Sequence, residues 1–234
     1  MKKICLILGA LMLAGCSSAK NESTVASQTP TETVDKTVNE STVKSDTTDK
    51  GTFTVGFDQD FPPMGFVGDD GEFTGFDLEL AAEAAKRMGK EIKYQPISWD
   101  AKDMELSSGN IDCIWNGFSM QGREDKYSWV GPYMANEQVF VVKDNSGIET
   151  LADLSGKAVE VQKDSSGLDA LKEEENKKLK ESFSSLTEVA DYNTALMDLQ
   201  SGACDAVCMD SVVAGYQITN SEKKNPGSEE KMRI

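Results

Sequence analysis

The sequence predicts an α/β protein built as two alike lobes. Three observations carry that expectation: a repeated segment, an alternation of strand-like and helix-like periods from residue 52 onward, and a composition that sets the first 50 residues apart. The repeat runs Trp99, four residues, Met104-Glu105-Leu106, one residue, Ser108-Gly109, two residues, Asp112. It recurs 93 positions later as Tyr192, four, Met197-Asp198-Leu199, one, Ser201-Gly202, two, Asp205. Each copy reads as a helix, a Gly stop and a strand. Two lobes of this kind leave a cleft between them, and clefts are where small ligands sit.

The N-terminal residues cannot belong to a core. Residues 1–15 read as a secretory signal, with Lys2 and Lys3 ahead of an apolar run over 4–14 that is too short to span a bilayer. The end of that run, Leu13-Ala14-Gly15-Cys16, resembles the lipobox of bacterial lipoproteins. The resemblance implies that Cys16 becomes the acylated (palmitate-bearing) first residue of the mature chain and anchors it to a membrane surface without spanning it. Residues 16–50 are then the lipidated Cys and a Ser/Thr-rich tether without any aromatic residue, unable to bury enough apolar surface to fold. As a flexible coil the tether reaches about 30 to 35 Å.

The folded part is read in order. A strand is expected over 52–57 and a helix from Asp77, taken as its N-cap. Leu78, Ala81, Ala82, Ala85 and Met88 line one face of that helix, and Glu83 and Arg87 pair on the other, before Gly89 stops it. A strand over 92–95, a helix over 101–107 and a strand over 111–115 complete a βαβαβ series, which implies parallel strands with right-handed crossovers. After an apolar strand over 139–142 a second series follows: strand 158–161, helix 166–181, a strand near Leu186, helix 194–201, strand 205–209 and a helix from Ser211.

Charge and cysteine content exclude several classes. The chain has 40 acidic and 24 basic residues, a net charge of −16 that becomes 22 minus 40, or −18, once the two signal lysines are removed. That argues against a nucleic-acid partner, which needs clustered Lys and Arg. Cys113, Cys204 and Cys208 are expected as buried free thiols. No histidine accompanies them, so neither a metal nor a cofactor is expected.

Asp58-Gln59-Asp60-Phe61-Pro62-Pro63-Met64 resembles the aromatic-Pro-Pro segment of amino-acid solute-binding proteins (family 3), the extracytoplasmic receptors of ABC importers. Further matches are Gly75-Phe76-Asp77-Leu78-Glu79-Leu80-Ala81, the Ser108-Gly109-x-x-Asp112 unit, Arg123 before Pro132-Tyr133, Leu154-Ser155-Gly156-Lys157 and the Asp205 to Asp210 strand. The resemblance covers about 51–220. It implies the two-lobed, periplasmic-binding-protein-like type II α/β fold, with lobe 1 over 51–137, lobe 2 over 138–234 and a first hinge near 136–138. The family's fold returns to lobe 1 by a second hinge strand and final helices. Because this sequence ends at Ile234, in what reads as a charged loop over 222–233, the resemblance implies a chain truncated at the C-terminus, without that second hinge strand.

A free amino acid presents a carboxylate and an ammonium on one carbon, so its site needs a bidentate cation and an anion a few ångströms apart. Arg123 is the natural carboxylate partner because its planar fork makes two parallel charge-assisted bonds. By resemblance, Ser119 and Ser166 assist it, the latter at a helix start where backbone N–H groups favour anions. Asp210 takes the α-ammonium, Phe61 forms an aromatic wall, Asn116 and Gly117 offer polar groups, and Asp58 reaches the ligand side chain. Phe61, beside two prolines, is otherwise expected in an exposed turn, and Asp210 as an N-cap for the helix from Ser211. One departure from the family pattern is Ser119-Met120-Gln121-Gly122-Arg123, one residue shorter than Thr-x-Thr-x-x-Arg and with Gln121 for the second threonine.

The implied function is capture of a polar free amino acid by a monomer and delivery to an ABC permease, outside the cytoplasm at the cell surface. Which amino acid is bound is not legible. The rival readings are a dehydratase-like enzyme on the same fold, against which stands the absence of a nucleophile-base pair, and a lipoprotein sensor or adhesin.

Overall fold

The structure is a computed structural model that describes residues 51–224 and 231–234. The signal, Cys16 and the tether lie outside the described residues.

Elements before Gln138 build the first lobe. β1 (Thr52–Phe57) leads into a hairpin of three short antiparallel strands, β2 (Asp60–Phe61), β3 (Gly65–Val67) and β4 (Phe73–Thr74). Then come α1 (Phe76–Arg87), β5 (Glu91–Pro96), a 3₁₀ turn Trp99–Ala101 running into α2 (Lys102–Ser107), and β6 (Cys113–Ile114). The sheet order is β5-β1-β6 and all three strands are parallel, as the βαβαβ series requires. Leu78, Ala81 and Ala85 of α1 are buried, as are Val55 and Phe57 of β1, so the apolar stripe faces the sheet. Glu83 and Arg87 pair at 2.8 Å on the exposed face, where such a pair contributes little stability.

Two expectations in this lobe are corrected. Asp77 is not the N-cap of α1: Gly75 holds that position, and Asp77 lies inside the first turn, fully buried. Its carboxylate is drawn inward by two donors, the backbone N–H of Gly117 and the Tyr133 hydroxyl at 2.7 Å. The strand over 111–115 shrinks to Cys113–Ile114, although Asp112 N and Trp115 N still donate to carbonyls of β1 on either side.

The second lobe comprises β7 (Gln138–Lys143), β8 (Ala158–Gln162), α3 (Ser166–Lys172), α4 (Lys177–Ser182), β9 (Ser185–Val189), α5 (Tyr192–Ser201), β10 (Ala206–Asp210), α6 (Ser211–Lys224) and β11 (Met232–Arg233). Its sheet has the order β11-β7-β10-β8-β9, with β10, β8 and β9 parallel, and β7 and β11 antiparallel to their neighbours. β10 is buried at all five residues, the mark of a central strand covered on both faces. Val207 and Met209 pack with Tyr192, Leu199 and Val213 on one face; Ala206 and Cys208 pack with Val161, Leu168 and Leu171 on the other. Cys204 and Cys208 are buried free thiols, and Cys113 is half-buried.

The helix expected over 166–181 is divided into α3, a 3₁₀ turn Glu174–Asn176 and α4. The Ala170 carbonyl, which a continuous helix would offer to Glu174, accepts instead from Glu173 N and from the Asn176 side chain at 2.9 Å. The end of the chain also differs from expectation. The segment over 222–233 is not a loop throughout, since α6 reaches Lys224 and β11 pairs with β7 through Met232–Lys143 and Arg233–Val142. A strand therefore stands at the outer edge of β7, where none was expected. Arg233 secures it through Ile148 O at 2.6 Å and the Glu149 carboxylate at 2.8 Å.

Candidate functional site

The C-terminal ends of β6 in the first lobe and of β8 and β10 in the second point into one cleft, where ligands of open α/β sheets bind. β6 gives way to Asn116, Gly117, Phe118 and Ser119; β10 ends in Asp210; β8 ends in Gln162 and leads to Ser165 and Ser166. These residues, with Phe61 and Trp99, line one small cavity. Six of the expected residues are thus brought together: Phe61, Asn116, Gly117, Ser119, Ser166 and Asp210.

Arg123 stands behind this lining. Its side chain is only 5 % exposed, although the segment around it, Gly122-Arg123-Glu124-Asp125-Lys126, is rich in charge. Nη1 donates to Ser166 Oγ at 2.8 Å and to Ser119 O at 3.4 Å; Nη2 donates to Asp164 O at 3.2 Å and to the Asp169 carboxylate at 2.6 Å. The guanidinium also lies 5.0 Å over the Phe118 ring, and Trp129 Nε1 holds the Arg123 carbonyl at 3.1 Å. An aromatic cluster of Trp99, Phe118, Tyr127 and Trp129, with ring centres 5.0 to 5.3 Å apart, fixes the loop that carries the arginine. Gln121, the departure from the family pattern, is exposed.

Asp210 is buried, and burial raises its pKa, while Gln138, Asn136 and Tyr192 pull it back down. Gln138 Nε2 donates at 2.8 Å, the Tyr192 hydroxyl at 3.4 Å, and Asn136 Nδ2 donates as well. The carboxylate is thus engaged by side chains rather than by the first turn of α6; Ser211 N donates to Glu137 O. Phe61 is not exposed: it is 7 % accessible and stacks at 5.7 Å on Tyr192 across the cleft. Asn116 is 1 % exposed with neither its Nδ2 nor its Oδ1 partnered. A side chain at position 65 would place its Cβ 2.9 Å from that Oδ1, so Gly65 leaves the amide its room.

Asp58 sits apart from the other expected residues. It lines an adjoining cavity with Asp60, Ile97, Ser98 and Asp191, and Trp99 belongs to both cavities. Burial pushes its pKa up to about 6. It accepts from Asp60 N at 2.9 Å and from Gln162 Nε2 at 2.6 Å, the latter a bond between lobes.

Gln138, Tyr192, Gln162 and Asp169 were missed as site residues. Tyr192 had a signal, as the counterpart of Trp99 in the repeat. Gln162 and Asp169 had none, because their partners lie 104 and 46 residues away.

A two-lobed α/β fold with a cleft holding a buried arginine and a buried aspartate points to a class, the extracellular solute-binding proteins. Residues 53–189, more than half of the chain, match the family of Bacterial extracellular solute-binding proteins, family 3, and the chain belongs to that family. It is 34 % identical over 169 residues to the L-cystine-binding protein TcyJ of Escherichia coli K12, covering 71 % of this chain and 61 % of that protein. It is 29 % identical to the L-cystine-binding protein TcyA of Bacillus subtilis, covering 75 % and 63 %. The chain spans about three-fifths of the length of these curated relatives. A solved ABC uptake transporter substrate-binding protein from Streptococcus pneumoniae with bound histidine is 38 % identical with a TM-score of 0.69, covering 73 % of this chain and 70 % of that one. An arginine-bound ArgBP from T. maritima is 31 % identical with a TM-score of 0.66, covering 79 % and 81 %.

Proposed function

We propose that this protein is the extracytoplasmic receptor of an amino-acid ABC importer, binding one free amino acid with a polar side chain between its lobes and presenting it to the permease. The observation that carries the reading is the pair Arg123 and Asp210, two buried groups of opposite charge on the two sides of one cleft. An α-carboxylate takes the fork of Arg123 with help from Ser119 and Ser166; an α-ammonium takes Asp210; Asn116 and Gly117 supply polar contacts, Phe61 and Trp99 the walls. Asp58 faces the side chain of the ligand from the adjoining cavity. Lobe 1 over 51–137 and lobe 2 over 138–234 close about a hinge near 136–138. An analogue lacking either charge leaves a buried partner unpaired, which is the source of selectivity.

Cystine, histidine and arginine, the ligands of similar proteins, share a zwitterionic head and a polar extension. The membrane anchor is the acylated Cys16, at the cell surface, and the protein acts as a monomer without catalysis. A thermal-shift screen of the twenty amino acids plus cystine on the full-length protein tests the reading, because a ligand at 100 times its Kd adds about 2.7 kcal/mol of stability. No shift with any of them, or turnover of a bound amino acid seen by NMR, sinks it.

A further inference from the structure

The guanidinium of Arg123 carries four N–H bonds on its two terminal nitrogens, and the protein supplies four acceptors for them: Ser166 Oγ, Ser119 O, Asp164 O and Asp169 Oδ2. A ligand carboxylate bound bidentately takes two N–H bonds of the guanidinium, at least one of them on these terminal nitrogens. With all four terminal N–H bonds engaged, an incoming carboxylate reaches Arg123 by replacing a resident acceptor rather than by adding to the set.

The four acceptors are not equally replaceable. Two are backbone carbonyls, and Ser166 Oγ is neutral. Asp169 has a side chain 47 % exposed, one turn along α3 from Ser166, and can swing into water at low cost. It is also the one charged acceptor on the guanidinium, a charge that a ligand carboxylate replaces.

We propose that Asp169 sets the affinity of the cleft: its carboxylate stands in at Arg123 for the carboxylate of the ligand, and binding is an exchange of one for the other. The inference rests on the amino-acid reading of the cleft. Removing the resident carboxylate leaves Arg123 short of a partner in the free protein, so Asp169→Asn binds more tightly, by about two- to fivefold for a half-exposed ion pair. Asp169→Glu, which keeps the charge, stays near the wild type.

Calorimetry of full-length wild type, Asp169→Asn and Asp169→Glu with L-cystine, L-histidine and L-arginine reads the effect. Alongside it, a melting cycle of Asp169→Asn, Arg123→Gln and the double variant, without any amino acid, reads the coupling of the pair. Tighter binding by Asp169→Asn together with non-additive melting is the expected result. Unchanged or weaker binding, with Asp169→Glu no different from Asp169→Asn, makes Asp169 a support for the arginine and overturns the exchange. Additive melting overturns it independently of any ligand. Coupled melting with no binding by the wild type or by either Asp169 variant fails the receptor reading and takes the exchange with it.

Discussion

The two copies of the repeat, compared side by side, separate scaffold from site. Asp112 and Asp205 do the same work. Each accepts, at 2.7 and 2.8 Å, from the backbone N–H of a neighbouring parallel strand, Thr54 in β1 and Ala158 in β8, and each returns its own N–H to the carbonyl of that same residue. Gly109 and Gly202 both end their helices in the left-handed region, at φ of 76° and 83°. Past the aspartates the copies diverge. β6 stops after two residues and hands the chain to a loop with Asn116 and, further on, Arg123. β10 continues for five buried residues and delivers Asp210 into three donor side chains. The repeat encodes the support common to both lobes, and the residues beyond it encode two unlike charges.

That division is tested most strongly by removing the charges one at a time. Arg123→Ala deletes the fork and leaves the Asp169 and Ser166 contacts without their donor. Binding of the amino acid found in the screen is expected to weaken at least about 100-fold by calorimetry, in line with truncating one partner of a buried charge pair. Asp210→Asn keeps the shape and part of the hydrogen bonding from Gln138 and Asn136, so its loss is expected to be smaller, about tenfold. Equal losses, or a larger loss at Asp210, break the assignment of the stronger anchor to the loop of the first lobe.

Much of this comparison is legible in the sequence because it is local. The repeat, the amphipathic stripe of α1 and the apolar run of β10 depend on residues a few positions apart, and these elements appear where the local pattern puts them. What escapes is non-local. Asp77 has the composition of an N-cap, and nothing nearby tells that Gly117 and Tyr133, 40 and 56 residues on, draw its carboxylate into the interior. Phe61 beside Pro62 and Pro63 has the signature of a turn, and its burial depends on Tyr192 in the other lobe. Arg123 is identified by resemblance, while three of its four partners, Asp164, Ser166 and Asp169, come from α3 and the turn before it, whose register against the loop no spacing in the chain encodes.

The buried acids of the first lobe also give it a pH signature. Burial pushes Asp77 and Asp58 from an ordinary value of 3.8 up to about 6. Because the folded value lies above the unfolded one, the native state binds more protons between the two. The stabilising contribution is complete below about pH 4 and is lost as pH rises through about 6, on the order of 2 kcal/mol for each group. Unfolding free energy from urea titrations between about pH 4 and pH 7 should therefore carry a falling component that Asp77→Asn removes. A variant with an unaltered slope shows that Asp77 keeps its charge throughout and that the Gly117 and Tyr133 bonds outweigh its burial.

The smallest effect separates the copies most finely. Asp112→Ala and Asp205→Ala each delete one exposed carboxylate bond to a strand N–H, and bonds of nearly equal length predict nearly equal losses, about 1 kcal/mol each. Their consequences for the cleft should differ. β10 is clamped between β7 and β8 and packed on both faces, so Asp210 keeps its place when Asp205 is lost. β6 is a two-residue edge strand whose hold on β1 includes the Asp112 bonds, and Asn116 follows it by two residues. Asp112→Ala should then weaken amino-acid binding a few-fold at a stability cost that Asp205→Ala matches without loss of affinity. Matched effects on binding as well as on stability mean that the two strand ends are equally rigid, and that the divergence beyond the repeat lies in charge alone.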